Sequence, residues 1–217
     1  PDCLQSGLLG FAGGMMTGAA LLSLLPSALH KGGLGQALSG IVAGAGALLA
    51  LDLVFPHQHA GRDRNKPATT DWKESIMILG AIILHNLPEG LTMGVGYASG
   101  EDRIGLILTI AIGIQNLPEG LLAALPFREN GVSGPKAVGL ALLTGLSEPL
   151  AALLGMLLVN WLRHVLGFLL SFAAGAMLYA VSDTLIPNSQ EHGFERLGTF
   201  GFLAGVITLV LIRQLLQ

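Results

Sequence analysis

His85-Asn86-Leu87-Pro88-Glu89-Gly90 and, further along, Gln115-Asn116-Leu117-Pro118-Glu119-Gly120 lie inside two long apolar runs, Ile76 to Ala98 and Ile104 to Phe127. An ionised side chain at the centre of a bilayer costs about 2.5–3.5 kcal/mol even on the lenient insertion scale, so carboxylates placed there need a function. Each motif also sets a proline in mid-helix. Proline has no N–H to donate and pushes against the carbonyl four residues earlier, which frees the carbonyls of Leu84 and Ile114. Irregular backbone at membrane depth persists only where it is buried in protein or lines a polar cavity, so the motifs predict a kink and a lined pathway. At about 100° per residue, Glu89 falls about 40° from His85 and about 60° from Asn86. Glu119 stands likewise between Gln115 and Asn116. Each helix therefore offers one carboxylate flanked by two further donors.

The surrounding chain is built for a bilayer. Its 217 residues are 52% hydrophobic and 12% charged, against about 25% charged in a typical soluble domain. Crossing a hydrocarbon core takes roughly 17–25 helical residues, and seven apolar stretches qualify: Ser6 to Leu25, Leu34 to Phe55, Ile76 to Ala98, Ile104 to Phe127, Ala137 to Trp161, Val165 to Ile186 and Leu197 to Leu216. The expected fold is an all-α polytopic membrane protein, with residues 1–217 as a single transmembrane domain because the loops are short. A net charge of -3 gives no sign of nucleic-acid binding. The one cysteine, Cys3, rules out an internal disulfide. Ser6 to Leu25 lacks a basic leading region and reads as a span, not a cleavable signal.

Basic residues are retained in cytoplasmic loops. The loops after spans two, four and six hold Arg62, Arg64, Lys66, Lys73, Arg128, Lys136 and Arg196, whereas the opposite side holds Lys31, Arg103, Arg163 and Arg213. Residue 1 is then expected on the cytoplasmic side and residue 217 on the periplasmic side.

Sliding the chain against itself by 161 residues brings out a repeat. Phe11-Ala12, Gly14, Met16, Ala19, Pro26 and Gly32 fall on Phe172-Ala173, Gly175, Met177, Ala180, Pro187 and Gly193, and Gly40 and Gly44 fall on Gly201 and Gly205. Span one pairs with span six and span two with span seven. Members of each pair cross in opposite directions, so the repeat is inverted, an arrangement that builds many secondary transporters around a site near the midplane. The axis then relates span three to span four, the two motif helices. Span five lacks a partner, which predicts one further helix upstream of residue 1 and a three-two-three inverted repeat of eight helices, seven of them present. Gly14 and Gly18, Gly40 and Gly44, and Gly201 and Gly205 are small-xxx-small pairs suited to close helix packing. Met15 and Met16 read as packing or lipid-facing residues.

All eleven Lys and Arg lie in loops or at span ends, so Glu89, Glu119 and Glu148 have no basic partner at their depth. They must be protonated or hold a cation. Glu148 stands near the centre of span five, before Pro149. Imidazole together with carboxylates and amide oxygens suits Zn²⁺, Fe²⁺, Mn²⁺, Co²⁺ and Cd²⁺, while Cu(I) seeks thiolates and Mg²⁺ and Ca²⁺ prefer all-oxygen shells. Asp52, His57, His59 and Asp183 lie at or near the cytoplasmic side, where they could receive metal leaving the centre. His30, His164 and His192 are loop or span-end residues, and Glu101-Asp102 turns the chain between spans three and four.

His-Asn-x-Pro-Glu-Gly in one helix and Gln-Asn-x-Pro-Glu-Gly in the next resemble the ZRT/IRT-like (ZIP) metal transporters, specifically their bacterial GufA-like branch, over essentially the whole chain. The resemblance implies eight helices in a three-two-three inverted repeat. It also implies a transport site at His85, Asn86, Glu89, Gln115, Asn116, Glu119 and Glu148, metal movement into the cytosol, a His-bearing loop matching His57 and His59, and elevator-type motion against a dimeric scaffold. Many eukaryotic members have a second motif histidine where this chain has Gln115. The expected function is import of Zn²⁺, or of Cd²⁺, Fe²⁺ or Mn²⁺, across a bacterial inner membrane by a homodimer. A passive metal channel and an intramembrane metallohydrolase are the alternatives, the latter because a catalytic zinc site also uses His and Glu. The angular positions further predict two ions, one on His85 and Gln115 and one on Asn86, Asn116 and Glu148, bridged by Glu89 and Glu119.

Overall fold

The computed structural model describes residues 2–54, 72–100, 102–129, 131–190 and 193–216. Among these residues every regular element is helical: α1 (Asp2–Gly18), a π-helical turn (Ala19–Leu24), α2 (Leu25–Val54), α3 (Trp72–Ala98), α4 (Asp102–Glu129), α5 (Gly134–Gly145), α6 (Ser147–Trp161), a short 3₁₀ turn (Arg163–Val165), α7 (Leu166–Ala180), a second π-helical turn (Val181–Leu185), α8 (Ile186–Gln190) and α9 (Glu195–Leu216). Five stretches among the described residues are long and apolar enough to cross a membrane. The longest, Cys3–Val54, has 52 residues. As one straight helix it would run about 78 Å, far beyond a hydrocarbon core of about 30 Å.

That stretch is two passes. Gly13 packs beside Val181 and Leu185, and Gly32 packs against Gly167, so the first pass runs antiparallel to α7. Gly40 then meets Phe168 and Ser171, and Gly44 meets Phe172 and Ala176, so the second pass runs parallel to α7. The chain reverses at Gly33, whose φ of 69° and ψ of -177° lie where a side chain is strongly disfavoured.

The inverted repeat is written into the contacts. A Cβ on Gly14 would run into the Phe202 carbonyl oxygen, and one on Gly175 into that of Ile41, the same pair under the 161-residue shift. Gly205 against Phe11 is likewise the counterpart of Gly44 against Phe172, and Gly201 against Gly7 that of Gly40 against Phe168. The small-xxx-small pairs are therefore occupied inside the chain, joining α1 to α9 and α2 to α7. The two π turns obey the same relation: Leu25 N–H reaches Ala20 O, and Ile186 N–H reaches Val181 O. Pro26 and Pro187 each follow shortly after. A proline that cannot donate to the carbonyl four residues back is accommodated by the wider turn.

The helices fall into two groups. α1, α2, α7, α8 and α9 form a framework, while α3, α4, α5 and α6 pack mainly on one another; α1 against α4 and α3 against α7 join the two. The main core includes Met15, Met16, Leu108, Ile112, Leu170 and Met177, so both N-terminal methionines are packing residues. Gln36 pins the start of α7: its Nε2 donates to His164 O at 3.2 Å and its Oε1 accepts from Phe168 N–H at 3.1 Å. Phe168 N–H is in the first turn of α7 and has no intrahelical acceptor. Gln36→Leu should therefore lower stability by about 0.5–1.5 kcal/mol, read as an earlier thermal unfolding in detergent. An unchanged transition would assign that N–H another acceptor.

Candidate metal site

α3 and α4 both continue through their motif prolines, Pro88 and Pro118. The fifth span, expected over Ala137 to Trp161, is one apolar stretch, Gly134–Trp161, in which α5 meets α6 at a turn at Leu146. Pro149 has no N–H for the Gly145 carbonyl, and the opening extends to Thr144. Its carbonyl oxygen accepts from Ser147 Oγ at 2.6 Å and from Asn86 Nδ2 at 3.3 Å. Glu148 is thereby set in the first turn of α6, where the helix dipole favours a negative charge.

Four of the seven expected ligands meet in two pairs. Gln115 Nε2 donates to Glu89 Oε1 at 2.7 Å, and Asn116 Nδ2 donates to Glu148 Oε2 at 2.7 Å. The first pair joins α4 to α3, the second α4 to α6. Glu89 and Gln115 are both 0% exposed. An amide that gives its NH₂ to a carboxylate leaves its carbonyl oxygen for another partner. Among the described residues, Glu89 Oε2, Gln115 Oε1, Asn116 Oδ1 and Glu119 Oε1 are buried without a hydrogen-bond partner. Leaving such acceptors unsatisfied is costly, and carboxylate and amide oxygens are donor types that a divalent cation can take.

Among the described residues, no three His, Cys, Asp or Glu side chains converge closely enough to hold a metal by themselves. The described donors are instead carboxylates interleaved with amides. His85 lies on α3, but its side chain is outside the described residues, as are His57, His59 and His192 altogether. His30 and His164 are exposed.

Asp52 and Asp183 are brought together through a residue that the sequence reading missed. Asp52 and Asp183 both lie beside Tyr179, whose hydroxyl donates to the Asp52 carboxylate. The signal was available: Tyr179 stands four residues before Asp183, on the same face of the helix. Thr144, whose carbonyl holds Asn86, was also missed. Its contribution comes from the backbone, which residue type does not reveal.

The fold defines an all-α polytopic membrane protein, with Glu89 joined to Gln115 and Glu148 to Asn116 among its helices. A sequence profile described as "ZIP Zinc transporter" matches residues 55–213. The chain belongs to the ZIP family. It is 41% identical over 174 residues to zinc transporter GufA of Myxococcus xanthus, spanning 80% of this chain and 68% of that protein. Similarity to zinc transporter ZIPB of Bordetella bronchiseptica is 39% identity over 224 residues, spanning 96% and 70%. With zinc transporter ZupT of Corynebacterium glutamicum it is 30% over 228 residues, spanning 95% and 85%.

Proposed function

We propose that this chain carries Zn²⁺ across a bacterial inner membrane into the cytoplasm, with Cd²⁺, Fe²⁺ and Mn²⁺ as further cargo, through His85, Asn86, Glu89, Gln115, Asn116, Glu119 and Glu148. The observation that carries this reading is the set of four buried, partnerless oxygens contributed by α3 and α4. Zinc as the leading cargo follows the names of the similar proteins. Family membership makes the chain a transporter and leaves the metallohydrolase reading without support. Residue 1 faces the cytoplasm on the distribution of Lys and Arg, so Asp52, Asp183, Tyr179, His57 and His59 serve the exit. The homodimer follows from the family resemblance, with the apolar outer face of α2, including Leu38, Val42, Leu49 and Leu53, left for lipid or a second copy.

Proteoliposomes loaded with a metal-sensing dye test the function directly. Saturable Zn²⁺ accumulation is expected; no accumulation would refute transport, and flux that never saturates would favour a channel.

His85→Ala should weaken Zn²⁺ binding and slow uptake at limiting metal by about 10-fold or more, because imidazole is a better donor to zinc than an amide oxygen. Equal uptake by the variant would remove His85 from the site.

The amide–carboxylate pairs also support two ion positions. Gln115 with Glu89 and Asn116 with Glu148 follow the division of ligands between one ion on His85 and Gln115 and another on Asn86, Asn116 and Glu148. Crystals soaked in Cd²⁺ should give two anomalous peaks. Glu148→Ala should lose one of them, while Glu119→Ala should weaken both; a single peak at saturating metal would overturn the arrangement.

A further inference from the structure

Thr92 lies just under one turn beyond Glu89 on α3, and both Thr92 and Met177 of α7 are 0% exposed. Four other helical threonines place their hydroxyl on the carbonyl four residues back, Thr17 on Gly13, Thr109 on Gly105, Thr199 on Glu195 and Thr208 on Ala204, and Thr144 uses the carbonyl three back, that of Ala141. This is the ordinary local bond of a mid-helix threonine. Thr92 instead donates across to Met177 Sδ at 3.3 Å. A thioether is a weak acceptor, so the hydroxyl has forgone a carbonyl for a poorer partner on another helix.

The two helices belong to different groups. α3 carries Glu89 and packs on α4 and α6, whereas α7 packs on α2 within the framework. The bond therefore ties the metal-bearing group to the framework next to a proposed ligand. Its surroundings are apolar and small, with Ala173, Ala174, Ala176 and Ala180 of α7 all buried. Such a surface offers little resistance to sliding. Its polar ties then decide where the two groups rest.

We propose that the Thr92–Met177 hydrogen bond is a reversible latch that holds the metal-bearing helices against the framework in this conformation, and so limits how fast the carrier exchanges access between the two sides. The proposal rests on the carrier reading above. A single neutral bond to sulphur suits this role because it can break and reform in every cycle, where a charged pair buried at this depth would trap the protein. Thr92 and Met177 act as positioning residues, since neither is proposed to touch the metal.

The test is Zn²⁺ uptake into proteoliposomes by Thr92→Val, Met177→Leu, the double variant and Thr92→Ser. Loss of the latch destabilises the starting conformation. Turnover at saturating Zn²⁺ should therefore rise by about two- to tenfold in each single variant, with a smaller change in KM. The double variant should match the singles, and Thr92→Ser should stay at the parent rate. Unchanged or lower turnover in Thr92→Val, additive effects in the double variant, or a Thr92→Ser that behaves like the valine variant would each overturn the latch. A parallel measurement uses methyl-labelled methionine, of which the chain has six. The Met177 signal should respond to Zn²⁺ in the parent and lose that response in Thr92→Val, while the other five report that the variant is folded. A parent protein that moves no Zn²⁺ would refute the carrier reading. Separately, a Met177 signal indifferent to Zn²⁺ in the parent would refute the latch.

Discussion

Replacing Glu89 by alanine is expected to lower metal uptake by about 100-fold or more while the protein stays folded. Removing an outer partner of a metal ligand already costs about 10–100-fold, and Glu89 is proposed as a ligand that also holds Gln115. Its Oε1 accepts from Gln115 Nε2 at 2.7 Å and its Oε2 is buried without a partner. The substitution therefore removes a free oxygen and releases the amide that presents another. No Lys or Arg lies at this depth to be orphaned by the change, so the fold should tolerate it. Uptake measured alongside size-exclusion behaviour and helical content separates the two effects. Uptake near the parent level in a folded Glu89→Ala protein would remove the carboxylate from the pathway.

Gly44→Val should unfold the framework, at a cost exceeding the roughly 1–3 kcal/mol of ordinary overpacking. The new Cβ would meet the Phe172 carbonyl and the Ala176 amide, and neither can move aside as a flexible side chain would. α2 and α7 would have to separate along their whole contact. Gly46→Val is the control, since on the same helix nothing lies within 4 Å of the added Cβ. Under the inverted repeat Gly205→Val meets the Phe11 carbonyl and should be as damaging as Gly44→Val. Thermal unfolding in detergent compares all three, and a Gly44→Val protein as stable as Gly46→Val would contradict the close approach of these helices.

The framework and the α3–α6 group share one kind of packing and differ in their polar ties. In the framework, glycines let backbones touch, and the same contacts occur twice under the inverted repeat. Close packing over such a length is rigid because each helix is keyed into the next. Between α3 and α6 backbones also touch at glycines, Gly90 on the Glu148 carbonyl and Gly94 on the Ala152 carbonyl, and side-chain hydrogen bonds at the proposed site are added to them, which metal binding would rearrange.

The all-α membrane-spanning class, the two Pro-Glu motifs and the inverted repeat could all be read from the chain alone, because hydropathy, helical period and a 161-residue offset are properties of residue order. The same is true of the proposed ligands' positions around their own helices: Gln115 and Asn116 flank Glu119 on any α-helix. Residue order does not set how one helix is rotated and shifted against the next. Only the tertiary structure therefore placed Gln115 on Glu89, Asn116 on Glu148, Asn86 on the Thr144 carbonyl and Tyr179 on Asp52. It also showed a turn within the fifth span at Leu146, beside a Thr144 carbonyl that accepts from side-chain donors. Thr92 shows the same limit: in sequence it is one more threonine with a carbonyl four residues behind it, and only the approach of α7 offers its hydroxyl a sulphur instead.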